Sequence, residues 1–142
     1  APTIEQRWFV GAHSNVGGGY ANDRLYRIPL AWMQQMAAKH GLKFDGVAVA
    51  QQEDAAGLPV DSFAQFMKGA YRLIRFGQRY YRHIGESRRE VKGGWSTSIG
   101  ERIDASVFAK YQSDPRYRPQ NLEAWARVKE IDLTQTRGDQ TA

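Results

Sequence analysis

The stretch Phe9-Val10-Gly11-Ala12-His13-Ser14-Asn15-Val16-Gly17-Gly18-Gly19-Tyr20 places an imidazole between an apolar run and three consecutive glycines. Imidazole is the side chain best suited to moving protons near neutral pH. A general base must reach both a nucleophile and an orienting carboxylate. Glycines suit such a site, because they admit positive φ and let other chain segments come close. A hydrogen-bonded structural histidine is the competing reading of His13. The glycine run does not specify phosphate binding. Gly17, Gly18 and Gly19 do not fit G-x-G-x-x-G, and the chain has no G-x-x-x-x-G-K-[ST]. His40 and His83 lie far away in sequence, no H-x-x-x-H spacing occurs, and there is no cysteine. No metal and no other cofactor is therefore expected.

The elements that must position His13 follow from hydrophobic pattern. Residues of about 5–12 read as a strand, with Trp8, Phe9 and Val10 as a continuous apolar run. Such a run fits a strand covered on both faces, as in a parallel sheet. Ligand and active sites of those sheets form just beyond the strand ends, where His13 would lie. Val47-Ala48-Val49-Ala50 is the other candidate strand. Asn22 or Asp23 is expected to cap a helix running to about His40, with Leu25, Ile28, Trp32 and Met36 on one face. Pro29 requires that helix to start late, or to hold the proline in its first turns. Gly41 is its expected stop.

Residues 51–60 read as a loop, and a second helix is expected over roughly 63–83, capped by Asp61 or Ser62. Residues 85–100 read as a loop or a hairpin around Gly93-Gly94. Asp104 to Lys110 is a short helix with Val107 and Phe108 inward, and Pro115 and Pro119 bracket an extended turn. The tail from Thr134 is expected to fray. One strand among helices leaves backbone donors and acceptors unpaired at a cost. The expectation is that the rest of its sheet lies outside these residues, with dimerisation through the strand as the alternative.

The 142 residues are expected to form a single unit, 42% hydrophobic and 25% charged, which is ordinary for a globular domain. No apolar run approaches the roughly 18 residues that a membrane-spanning helix needs, and the first residues lack a signal-peptide pattern. A net charge of +5 favours anionic partners without distinguishing nucleic acid from lipid.

The segment Trp8 to Tyr20, followed by Leu25 and Ile28-Pro29-Leu30-Ala31-Trp32-Met33, resembles the signature of one α/β-hydrolase family. That family, formerly catalogued as uncharacterised, includes phospholipase effectors of bacterial type VI secretion systems. Its usual pattern is an apolar strand, Gly-Val-His-Ser-Asp-Val-Gly-Gly-Gly-Tyr, and a helix containing Ala-Leu-x-Trp-Met. A weaker likeness covers Ile103 to Phe108 and Tyr117 to Leu122. The resemblance implies the C-terminal part of an α/β-hydrolase. Residues 1–45 would hold the last strand, the His loop and the following helix, and 46–142 a helical C-terminal region.

It further implies a Ser-Asp-His triad in that chain order, with His13 as the histidine and Ser14, Asn15, Gly17, Gly18 and Gly19 shaping the site. Ser96 and Ser98, in Gly94-Trp95-Ser96-Thr97-Ser98-Ile99-Gly100, fail the G-x-S-x-G spacing and follow the histidine. The implied nucleophile therefore belongs to an N-terminal part of the same hydrolase, and this chain alone would be inactive. Asn15 replaces the family's usual aspartate. The substrate class implied is a carboxylic ester of phospholipid type. The implied localisation is a bacterial cytoplasm, with delivery by type VI secretion to a target cell's periplasm or membrane.

Lys68, Arg72, Arg75, Arg79 and Arg82 recur at intervals of three or four, with Tyr71, Phe76, Tyr80 and Tyr81 between them. Arg72, Arg75, Arg79 and Arg82 are the candidate lipid-facing residues, since arginines suit lipid phosphates and aromatics suit the head-group layer. A solvated cationic helix face is the plain alternative. Nucleic acid is a third partner class, supported by no recognised motif. A helical interaction module docking on a partner chain is the non-enzymatic alternative.

Overall fold

The computed structural model describes residues 4–21, 23–57, 59, 81–85, 89–91, 94–96 and 100–142, with the backbone alone for 52, 89–91 and 94–96. The described elements comprise a three-stranded mixed sheet, a two-stranded ribbon and four α-helices. This content is compatible with part of an α/β fold. The chain divides into two compact units, Ala1–Trp8 with Tyr81–Ala142, and Phe9–Tyr80.

In the first unit, β1 (Gln6–Trp8) runs parallel to β4 (Glu101–Ile103), with Gln6 opposite Glu101 and Trp8 opposite Ile103. On its other edge β4 pairs antiparallel with β5 (Gln140–Thr141), so β4 is central. β1 is thus not a lone strand: one of its edges pairs with β4 within the chain. β4 escapes a sequence reading because three residues with one isoleucine carry no alternation. Its strand character comes from long-range pairing. The C-terminal tail is likewise tied down, since the Ala142 N–H donates to the Glu101 carbonyl at 3.0 Å. β2 (Arg89–Val91) and β3 (Gly94–Ser96) form the hairpin expected around Gly93-Gly94, with Val91 opposite Gly94.

The chain leaves β4 directly into helix α3 (Ala105–Ser113) through an Asp104 cap, whose Oδ1 accepts the Ser106 N–H at 2.9 Å. Val107 and Phe108 face inward as their spacing predicts, 4% and 1% exposed. After the extended segment 114–119, helix α4 (Gln120–Val128) offers Leu122, Trp125 and Ala126 at three- and four-residue spacing to the same core. The Phe108 and Trp125 rings meet at 6.2 Å. Lys110, buried in this core, is paired with Asp114 at 3.1 Å. Hydrogen bonds from the Arg116 backbone and then from Lys110 hold the Asp114 carboxyl below its usual range.

In the second unit the Phe9 ring packs 5.6 Å from Trp32. The strand expected over 5–12 is shorter than its apolar run and ends at Trp8. Helix α1 (His13–Gly17) follows, then α2 (Arg27–Lys39). The late start of α2 puts Pro29 in its first turn, where a missing N–H costs no ladder bond. Gly41, at φ +88°, closes the helix with its N–H on the Ala38 carbonyl at 3.0 Å. Val47 and Val49 are exposed and not in a strand, and a 3₁₀ turn (Gln52–Ala56) lies in the expected loop. Of the helix expected over 63–83, residues 81–83 are not helical and 63–80 lie outside the described residues.

Candidate functional site

A five-residue helix such as α1 is too short to be stable by its own backbone bonds. Its N-cap, Ala12, has no capping side chain, so the turn needs another lock. Asn15 supplies it. Its Oδ1 accepts the Ala12 N–H at 2.9 Å, the reciprocal half of a capping box. Its Nδ2 donates to Asp23 Oδ2 at 3.0 Å, and Asp23 Oδ1 accepts the Leu25 N–H at 2.8 Å. Asn15 is completely buried, and Leu25 is 1% exposed.

Two glycines are required by this geometry. Gly11 has φ +115°, and a Cβ there would lie 2.5 Å from Asn15 Cβ. Gly18 ends α1 in the left-handed region at φ +78°, its N–H directed to the Ser14 carbonyl. Gly19 adds a second bond to the same carbonyl at 2.8 Å. Gly17, by contrast, borders open space.

His13 occupies the first position of α1 and is exposed, and among the described residues no carboxylate is paired with it. The arrangement presents a solvent-accessible imidazole on a turn fixed by a buried amide, and that can serve proton transfer to an incoming group. Ser14, half-buried, contributes its carbonyl to the turn.

Residues 1–36 match the family model of the catalytic domain of Tle1-like phospholipase effectors of type VI secretion. That span contains His13 and the whole of its turn. An uncharacterized protein of Saccharomyces cerevisiae is 40% identical over 53 residues, covering 34% of this chain. The chain spans 8% of that yeast protein's length. No solved structure matches the chain.

Of the other residues singled out by sequence, Arg82 belongs to the first unit. Its guanidinium stacks over the Trp8 ring, 5.3 Å from the centroid. Arg72, Arg75 and Arg79 lie outside the described residues. Among the described residues no group of three or more His, Asp or Glu comes together as a metal-ligand set, and no helix is long and apolar enough to cross a membrane. The sequence reading missed two parts of the turn. Asp23 reads as a helix cap, yet its carboxylate anchors Asn15. Gly11 reads as a strand end, yet it makes room for Asn15. The one local signal was the Asn15 substitution. An amide there donates to Asp23, where a carboxylate would face a second carboxylate.

Proposed function

We propose that this chain is the C-terminal part of a serine ester hydrolase acting on phospholipid-type carboxylic esters, with His13 as the general base. The observation that carries the reading is the family match over residues 1–36, which spans the exposed His13 on its locked turn. In this reading the attacking serine and the acid that orients His13 come from an N-terminal part of the same polypeptide. The serine oxygen attacks the acyl carbonyl while His13 takes the hydroxyl proton. The imidazolium then protonates the departing alcohol, and water repeats the cycle on the acyl-enzyme. A phospholipid surface would be the second partner, contacted by the basic aromatic segment around Arg72, Arg75 and Arg79.

The test is His13→Ala in the gene product containing this chain, assayed on phospholipid vesicles and a soluble aryl ester. Loss of the base should lower kcat by at least about 10³-fold with the circular dichroism spectrum unchanged. Ester hydrolysis at the wild-type rate would overturn the role.

A further inference from the structure

We infer that Asn15 is the positioning residue for the His13 imidazole, and that it acts through the direction of its hydrogen bond to Asp23. The inference rests on the hydrolase reading for its catalytic consequence, but its structural content stands on the turn alone. His13 has Ala12 on one side and Ser14 then Asn15 on the other, so the backbone that aims its ring is held where Asn15 is held. Asn15 is wholly buried and uses both ends of its amide: Oδ1 accepts from the Ala12 N–H at 2.9 Å, and Nδ2 donates to Asp23 at 3.0 Å. The backbone adds bonds from Asn15 and Val16 to the Ala12 carbonyl at 3.0 and 3.1 Å.

Asp23 offers only acceptors, with its second oxygen committed to Leu25. Position 15 must therefore present a donor toward 23 and an acceptor toward Ala12. Asparagine meets both demands and aspartate does not. A carboxylate at 15 would be buried against the half-buried Asp23 carboxylate, and like charges so placed repel. Exchanging the two residues, by contrast, keeps every bond. A carboxylate at 15 would accept from Ala12 and from an amide at 23, whose oxygen would still accept from Leu25.

The experiment compares Asn15→Asp, Asp23→Asn and the double exchange in the gene product containing this chain, followed by kinetics, by the His13 ring resonances and by exchange of the Ala12 amide. Asn15→Asp should lower kcat about 100-fold at unchanged KM, the scale of a misplaced catalytic group. The same variant should shift the His13 ring resonances and speed exchange of the Ala12 amide. The double exchange should return kcat, the ring resonances and the exchange rate to within about threefold of wild type, since the complementary bonds are restored. Asp23→Asn, which alters only one partner of the pair, gives an intermediate loss and guards against an Asn15→Asp chain that fails to fold.

Unshifted His13 resonances in Asn15→Asp, or a double exchange no better than the single change, would overturn the inference. If His13→Ala leaves hydrolysis intact, the hydrolase reading fails by itself. The ring resonances and the Ala12 exchange rate still decide the positioning role.

Discussion

The Arg7 guanidinium lies 3.2 Å from the Asp104 carboxylate, joining β1 to the residue that caps α3. The same guanidinium reaches Asp139 at 3.0 Å and Glu5 at 2.8 Å, and Asp139 in turn accepts the Ala105 N–H. Burial alone would lower the Arg7 pKa, but the Glu5 hydrogen bond and the charges of Asp139 and Asp104 outweigh it and raise the value. One cation thus ties together the strand before the His13 turn, the start of α3 and the chain leading into β5. Arg7 and Asp104 are only 13% and 12% exposed, so the pair is screened less than a surface pair would be.

Asp104 does two jobs, and two substitutions separate them. Asp104→Ala removes a cap, worth about 1 kcal/mol, and a charge-assisted bond to Arg7, worth about 1–2 kcal/mol with other acids still present. Unfolding of the 142-residue chain in urea should show a loss of about 2–3 kcal/mol, the sum of those terms. Asp104→Asn keeps the cap acceptor and should lose only about 1 kcal/mol, the charge-dependent part. Equal losses for the two variants would mean that the cap contributes nothing, and an Asp104→Asn chain as stable as wild type would mean the same of the ion pair.

The glycines around His13 should respond unequally, although they look alike in sequence. Gly11→Ala forces a side chain into positive φ and into contact with Asn15. It should cost about 2–4 kcal/mol, combining backbone strain and overpacking. Gly18→Ala meets only the left-handed φ and should cost about 1 kcal/mol. Gly17→Ala has open space at the end of α1 and should be neutral or stabilising by up to about 1 kcal/mol. Urea midpoints of the three variants give the order directly. A Gly17 variant as damaging as the Gly11 variant would contradict the geometry of the turn.

Legibility in the sequence followed the range of the interactions. α3 could be read because its inward pair, Val107 and Phe108, are neighbours in the chain, although Asp104, read as its first residue, is its cap. The late start and abrupt stop of α2 could be read from Pro29 and Gly41 for the same reason. β4 and β5 could not. Glu101-Arg102-Ile103 and Gln140-Thr141 become strands only through partners far along the chain, and their compositions are those of loops. The same limit applies to the site. His13 and its glycines stand out locally, whereas the Asn15–Asp23 bond is a side-chain pairing that no period or cap rule reports. What the sequence offered there was a polar residue whose burial had to be seen.

Tyr117 gives the first unit an alkaline limit that can be measured. Burial, and then the charge of Tyr81, push its hydroxyl well above the ordinary tyrosine range. Tyr111 is raised too, by burial and by its hydrogen bond to Glu123. For a group of this kind the folded state holds its proton longer than the unfolded state does. Below pH of about 10 both states are protonated, and the group adds no pH dependence. As pH rises past that value the unfolded chain ionises first, so stability falls by up to about 1.4 kcal/mol per pH unit for one such group. Tyr117→Phe removes that slope while keeping the ring. Urea midpoints of wild type and variant should therefore differ by a constant amount below about pH 9, and converge or cross as pH climbs beyond about 10. A parallel decline of both proteins would show that Tyr117 is as easily ionised in the folded chain as in the unfolded one.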